Sequence, residues 1–154
     1  MHTKNLAVLA IAGLFLATTA SAQEKKIKRS DLPPAVEKTV AAQSEGATIK
    51  GFSTEKENGQ TLYEVELTVK GHSKDISMTT DGSIVEVEEE VALDSLSPEV
   101  KAGLEAKAGK GKIVMVESLT KKDKLVAYEA HVQTNGKKSE VQVGPDGKPL
   151  DHEE

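Results

Sequence analysis

The sequence predicts an α+β protein made of two tandem units, each one helix packed on an antiparallel sheet of about four strands. Three observations carry this expectation. The stretch YEVELTVKGHSKDISMTTDG, Tyr63 to Gly82, returns as YEAHVQTNGKKSEVQVGPDG, Tyr128 to Gly147. Ahead of each copy, apolar residues recur at helical spacing. Inside each copy the pattern becomes the strict alternation of a half-buried strand.

The repeat extends upstream. SDLPPAVEKTV, Ser30 to Val40, aligns with DSLSPEVKAGL, Asp94 to Leu104, with Pro34 over Pro98 at an offset of 64, while Tyr63 lies over Tyr128 at an offset of 65. One residue is gained between these points, and a hairpin loop near Lys121 to Lys124 is its expected place.

The elements follow in order. Residues 1–22 read as a signal peptide: Lys4 gives a positive start, Leu6 to Ala17 an apolar run, and Ala20-Ser21-Ala22 a small-residue site with cleavage after Ala22. The run is shorter than the roughly 20 residues a membrane span needs. Residues 23–30 (QEKKIKRS) form a basic leader, expected to be disordered. The first unit is 31–90. Ser30 or Asp31 is placed to cap its helix, Leu32, Val36 and Val40 form the apolar stripe, and Gly46 ends it. A strand is expected near Thr48 to Thr54. On the next, Tyr63, Val65, Leu67 and Val69 alternate with Glu64, Glu66 and Thr68, and Ile76 and Met78 lie on the strand after it. KGHS and Asp81-Gly82 read as turns. The second unit, 91–150, repeats this with a cap at Ser95 or Ser97 and a stripe of Leu96, Val100 and Leu104. The run AGKGK ends its helix, a strand follows near Lys112 to Ser118, and another carries Val126, Tyr128, Ala130 and Val132. An acidic tail, 151–154, closes the chain.

Composition narrows the function. The chain has no cysteine, so an exported form has no disulfide framework and must rely on a packed core. Its formal net charge is −5, and residues 31–90 hold 13 acidic against 5 basic side chains. That balance repels phosphates and argues against a nucleic-acid partner. The basic patches Lys25 to Arg29 and Lys121 to Lys124 are more simply a leader and a hairpin tip than lipid contacts.

If Tyr63, Val65 and Leu67 face the helix, Glu64 and Glu66 point away from it, with Asp75 and Ser77 on the next strand and Glu86 and Glu88 joining from VEVEEE. These five carboxylates, Glu64, Glu66, Asp75, Glu86 and Glu88, are the candidate partner-binding residues. A one-sided antiparallel sheet also carries such a solvated face for no functional reason. His72, His131 and His152 are expected in a turn, on an exposed sheet face and in the tail; no two stand at i, i+4, and no metal site is predicted. His72, Ser73 and Asp75 have the residue types of a hydrolytic triad without its geometry. No G-x-S-x-G, H-E-x-x-H or glycine-rich phosphate loop occurs, so neither catalysis nor a cofactor is predicted.

A helix, a strand opening Tyr63-Glu64-Val65, a turn, a strand and Asp81-Gly82-x-Ile84 together resemble the PepSY domain. The duplicated, exported form resembles the PepSY-like family that is similar to β-lactamase-inhibitor proteins, over Asp31 to Leu150. The resemblance implies a non-catalytic module, of the kind found in propeptides that inhibit peptidases or in inhibitors that bind an enzyme on a concave sheet. This chain departs from such inhibitors. It has no cysteine or tryptophan and a single arginine, Arg29, and beyond residue 22 its aromatics are Phe52, Tyr63 and Tyr128, all on apolar stripes. A tight β-lactamase inhibitor is therefore not expected. The sequence-based expectation is a periplasmic or secreted bacterial binding protein without a membrane span, which binds or inhibits an envelope protein or peptidase through its sheet face. Its partner would be a protein or peptide with basic segments. The competing expectation is weak cation binding or envelope buffering by the acidic face of the first unit.

Overall fold

The sequence left open whether the sheets of the two units join, and they form one. The computed structural model describes residues 24–154, in which eight strands form a single antiparallel sheet whose spatial order is their chain order. The elements are β1 (Lys25–Lys26), α1 (Pro34–Gln43), β2 (Thr48–Glu57), β3 (Gln60–Val69), β4 (His72–Met78), β5 (Ile84–Glu90), α2 (Pro98–Ala108), β6 (Lys112–Lys121), β7 (Lys124–Thr134) and β8 (Lys137–Val143). An α+β fold of two tandem helix-on-sheet units is thereby overturned: the described chain is mostly β, one sheet with two helices.

The reason lies in β5. Its sequence, IVEVEEE, gave no sign of a strand paired on both sides. Asp75 and Ser77 of β4 pair with Glu88 and Glu86 on one edge. On the other, Glu86 pairs with Lys121 and Glu90 with Glu117 of β6. Both rows of backbone groups on β5 are therefore used, and no open edge remains in the middle of the sheet. Residues 1–22, expected to be a signal peptide, lie outside the described residues. The leader expected to be disordered instead contributes an edge strand, with Lys25 opposite Thr54 and Lys26 opposite Ser53.

Both helices pack on the same face of the sheet. Val36 and Val40 of α1 are fully buried against Phe52, Val65, Leu67, Ile76 and Met78. Val100 and Leu104 of α2 meet Val116, Ala130, Val132 and Val143. Tyr63 and Tyr128 are half-buried at the margins of these clusters rather than inside them. The helix starts differ. Ser97 caps α2 by accepting a hydrogen bond from the Val100 N–H at 3.3 Å. The start of α1 has no side-chain cap, because Ser30 and Asp31 belong to a separate 3-10 turn, Arg29–Asp31, and Pro33 takes the cap position.

Four hairpins turn on two residues with positive φ: Asn58-Gly59, Lys70-Gly71, Lys122-Asp123 and Asn135-Gly136. That geometry matches the right-handed twist of the flanking strands. The residue gained between the halves is not in a hairpin. Leu119 pairs with Ala127 and Thr120 with Leu125, so Val126 is an unpaired bulge in β7. Gly147 has a different task. Its φ is +77°, and an added Cβ would lie 2.2 Å from the carbonyl oxygen of Glu99, so the loop after β8 touches the first turn of α2 directly. Gly82 makes the matching approach to Ala35 of α1, and Thr39 Oγ1 donates to its carbonyl at 2.8 Å.

Candidate functional site: an acidic sheet face

Strand alternation decides what faces away from the helices. With Val65, Leu67 and Ile76 turned toward α1, Glu64 and Glu66 of β3 point to the other side. Glu64 pairs with Ser77 and Glu66 with Asp75. Ser77 in turn pairs with Glu86 and Asp75 with Glu88. All five predicted carboxylates therefore share the helix-free face, across three adjacent strands. Glu66, Asp75 and Glu88 stand in one row. Like charges directly opposite one another on a sheet destabilise it.

This face is not the open, solvated surface the sequence suggested. Leu119 and Ala127 lie on it at 1% and 0% exposure, with Ser53 and Ser77 also buried. No helix among the described residues covers them, so the sheet itself must curl around them. Strands distant in order accordingly meet: Glu57 and Leu62 from β2 and β3 line one pocket of about 130 Å³ with Glu86 and Lys121 from β5 and β6.

Burial changes the acids. Loss of solvation, then the nearby Asp75 charge, pushes the Glu64 carboxyl up to about 7, although Ser53 donates to it at 3.3 Å. Asp75 is raised to about 6, by burial first and then by Glu117 and Glu66. Glu88 is raised as well, again by burial and then by Glu86. Among the described residues Glu86 alone of the five forms an ion pair, with Lys121 at 3.2 Å. The Oδ1 atom of Asp75 is buried without a hydrogen-bond partner.

The face continues onto β6–β8 with residues that were not singled out in the sequence. Glu117 pairs with Glu129 across β6 and β7, and Gln142 of β8 pairs with Glu129. Glu117 is buried at 2% exposure. Its Oε2 lies 2.7 Å from His131 Nε2, while its Oε1 is buried with no partner. His131, expected on an exposed surface, is partly enclosed by Glu117, Glu129 and Glu140. His72 sits at the exposed end of β4 beside Glu90, and His152 is in the exposed tail. Chain-end Glu154 also reaches this face, donating its N–H to Gln142 at 2.8 Å and placing its carboxylate 3.5 Å from Lys121. The sequence signal for Glu117 and Glu129 was their matched places on alternating strands, and it was masked because the VMVES and YEAHV runs read as ordinary core strands.

No family model and no curated protein matches the chain. Solved structures do match its fold. A DUF2874 family protein from Bacteroides ovatus is 19% identical, with 77% of this chain and 84% of that chain covered and a TM-score of 0.58. A BLIP-like protein from Bacteroides fragilis is 18% identical, with coverages of 77% and 83% and a TM-score of 0.54. A protein from Bacteroides eggerthii, described as periplasmic, is 16% identical, with coverages of 77% and 86% and a TM-score of 0.61. These likenesses show the fold that the chain shares with DUF2874 and BLIP-like proteins. Among the described residues no helix is long and apolar enough to cross a membrane.

Proposed function

We propose that this chain is an exported, non-catalytic binding protein of the PepSY-like and BLIP-like kind, which takes a basic segment of an envelope protein or peptide on the helix-free face of β3–β5. One observation carries the reading. Five carboxylates are gathered on that face and held partly out of water, and four of them, Glu64, Glu66, Asp75 and Glu88, have no ion-pair partner among the described residues. Such a row costs stability on its own account, and a cationic partner converts the cost into attraction. Sites that keep a locally unfavourable arrangement are candidates for function. The BLIP-like neighbour supports the binding class, and the periplasmic neighbour supports export.

The experiment is equilibrium and stopped-flow binding of a lysine-rich peptide to the wild-type chain and to E64Q/E66Q/D75N/E86Q. The wild type should bind with an association rate that falls as salt rises, because long-range steering is screened. The variant should associate more slowly, with a flatter salt dependence. Identical rates and salt slopes for the two would remove the acidic face from the mechanism. A second reading, weak cation binding by the same acids, is favoured by Glu24, Glu64 and Glu66, each of which offers an oxygen within 4.8 Å of the others. It predicts a calcium-dependent rise in melting temperature that the amide variant loses.

A further inference from the structure

We propose that His131, Glu117 and Glu129 form a binding site for one divalent ion of the zinc class, a function separate from docking on β3–β5. The three side chains sit on one face of two paired strands. Glu117 and Glu129 are directly opposite, and His131 is two residues further along β7, opposite Met115. Their donor atoms all lie within 4.8 Å of one another. His131 Nε2 is 2.7 Å from Glu117 Oε2 and 3.7 Å from Glu129 Oε1. A tetrahedral ion with bonds near 2.0–2.2 Å holds its ligands about 3.3 Å apart, so small rotations suffice to seat it.

Two further features mark a built site. One orienting hydrogen bond is in place, Gln142 Nε2 donating to Glu129 Oε2 at 2.7 Å, and the Glu140 carboxylate stands beside the other ring nitrogen, its Oε1 3.5 Å from His131 Nδ1. A carboxylate on the far nitrogen of a ligating histidine fixes its ring and raises its basicity. The second feature is the unmet demand of one ligand. Glu117 is at 2% exposure, and its Oε1 has no hydrogen-bond partner. A buried carboxyl oxygen without a partner is expensive, and coordination to a cation satisfies it. The imidazole sets the class of ion, because nitrogen ligation favours zinc and its transition-metal neighbours over calcium and magnesium, which prefer all-oxygen sites. Three protein ligands leave a fourth position for water.

The test is a zinc titration of the purified chain against a chromophoric chelator, together with the absorption spectrum of the cobalt(II) form. One equivalent of zinc should bind with a dissociation constant of about 10 μM or tighter, and cobalt should give visible bands of a low-coordinate nitrogen–oxygen site. His131→Ala and Glu129→Gln should each weaken zinc at least tenfold and abolish the cobalt bands. Glu140→Gln, which removes only the orienting carboxylate, should weaken zinc about tenfold. Using Glu129→Gln beside His131→Ala keeps the test decisive if one variant fails to fold. Absence of stoichiometric zinc binding would overturn the proposal. So would zinc affinity unchanged in His131→Ala, the result expected if Glu117 and His131 form only an internal ion pair. Calcium binding as tightly as zinc and insensitive to His131 would assign the ion to Asp75, Glu88 and Glu117 instead, and would equally overturn it.

Discussion

Glu66 and Asp75 stand directly opposite each other on β3 and β4, two carboxylates on the same face of the sheet, and Asp75 meets a third, Glu88, on its other side. The described chain places no lysine or arginine between them. A sequence selected only for stability would break such a row. Its persistence in a curled, partly dehydrated face is the physical basis for reading that face as a place where positive charge is received.

The same row makes stability depend on pH in an unusual direction. Glu64 has an ordinary value of 4.5 in the unfolded chain and about 7 in the folded one. Between those values the folded state holds the extra proton, so folding is favoured at low pH. Stability falls as pH rises from about 4.5 through 7, by at most about 1.4 kcal/mol per pH unit for each such group and less where water reaches it. Asp75, raised from 3.8 to about 6, acts in the same sense at lower pH. Urea midpoints at pH 5 and pH 8 check this: the wild type should be more stable at pH 5. Glu64→Gln, which has no charge to desolvate, should narrow the gap. A wild type more stable at pH 8 would show these acids to be solvated.

The core predicts a contrast between two apolar truncations. Leu67 is buried at 1% exposure beneath α1, whereas Val114 is 52% exposed. Leu67→Ala should cost about 3 kcal/mol, through lost burial and the cavity left behind. Val114→Ala should move stability by about 0.5 kcal/mol or less. Chemical denaturation of both variants checks the assignment, and comparable losses would mean that the face of β3 is misassigned.

Two glycines with nearly the same φ separate backbone strain from contact. Gly136 and Gly147 have φ of +80° and +77°, but an added Cβ meets nothing within 4 Å at Gly136 and the Glu99 backbone at 2.2 Å at Gly147. Gly136→Ala should cost about 1 kcal/mol from the left-handed conformation alone. Gly147→Ala should cost clearly more, because the loop must also move off the first turn of α2. Thermal melts of the two variants decide it.

These comparisons also show what could be read in advance. Local patterns reported local facts: the alternation from Tyr63 to Val69 sorted Glu64 and Glu66 from Val65 and Leu67, and the stripe Val36–Val40 marked the buried side of α1. The joining of β5 to β6 could not be read, because pairing between strands separated by a helix leaves no periodic trace in either. The burial of the acidic face was hidden for a related reason. It follows from the curl of the whole sheet, which brings Leu62 toward Glu86 and Lys121, and no window of sequence contains that curl. Tyr63 and Tyr128 share the inward stripe, yet both are half-buried at the margins of the two clusters, which the alternation alone does not reveal. The grouping of His131 with Glu117 and Glu129 depends on the β6–β7 register, which the bulge at Val126 shifts by one residue.

The claim that the helix-free face of β3–β5 receives a basic segment is tested most directly by mapping where such a segment sits. Amide chemical shifts of the labelled chain, followed during titration with a lysine-rich peptide at low salt, report this residue by residue. The account predicts saturable shifts centred on Glu64, Glu66, Asp75, Glu86 and Glu88, reduced at high salt and absent in E64Q/E66Q/D75N/E86Q. Shifts centred on α1 and α2, or no saturable shift at millimolar peptide, would contradict it.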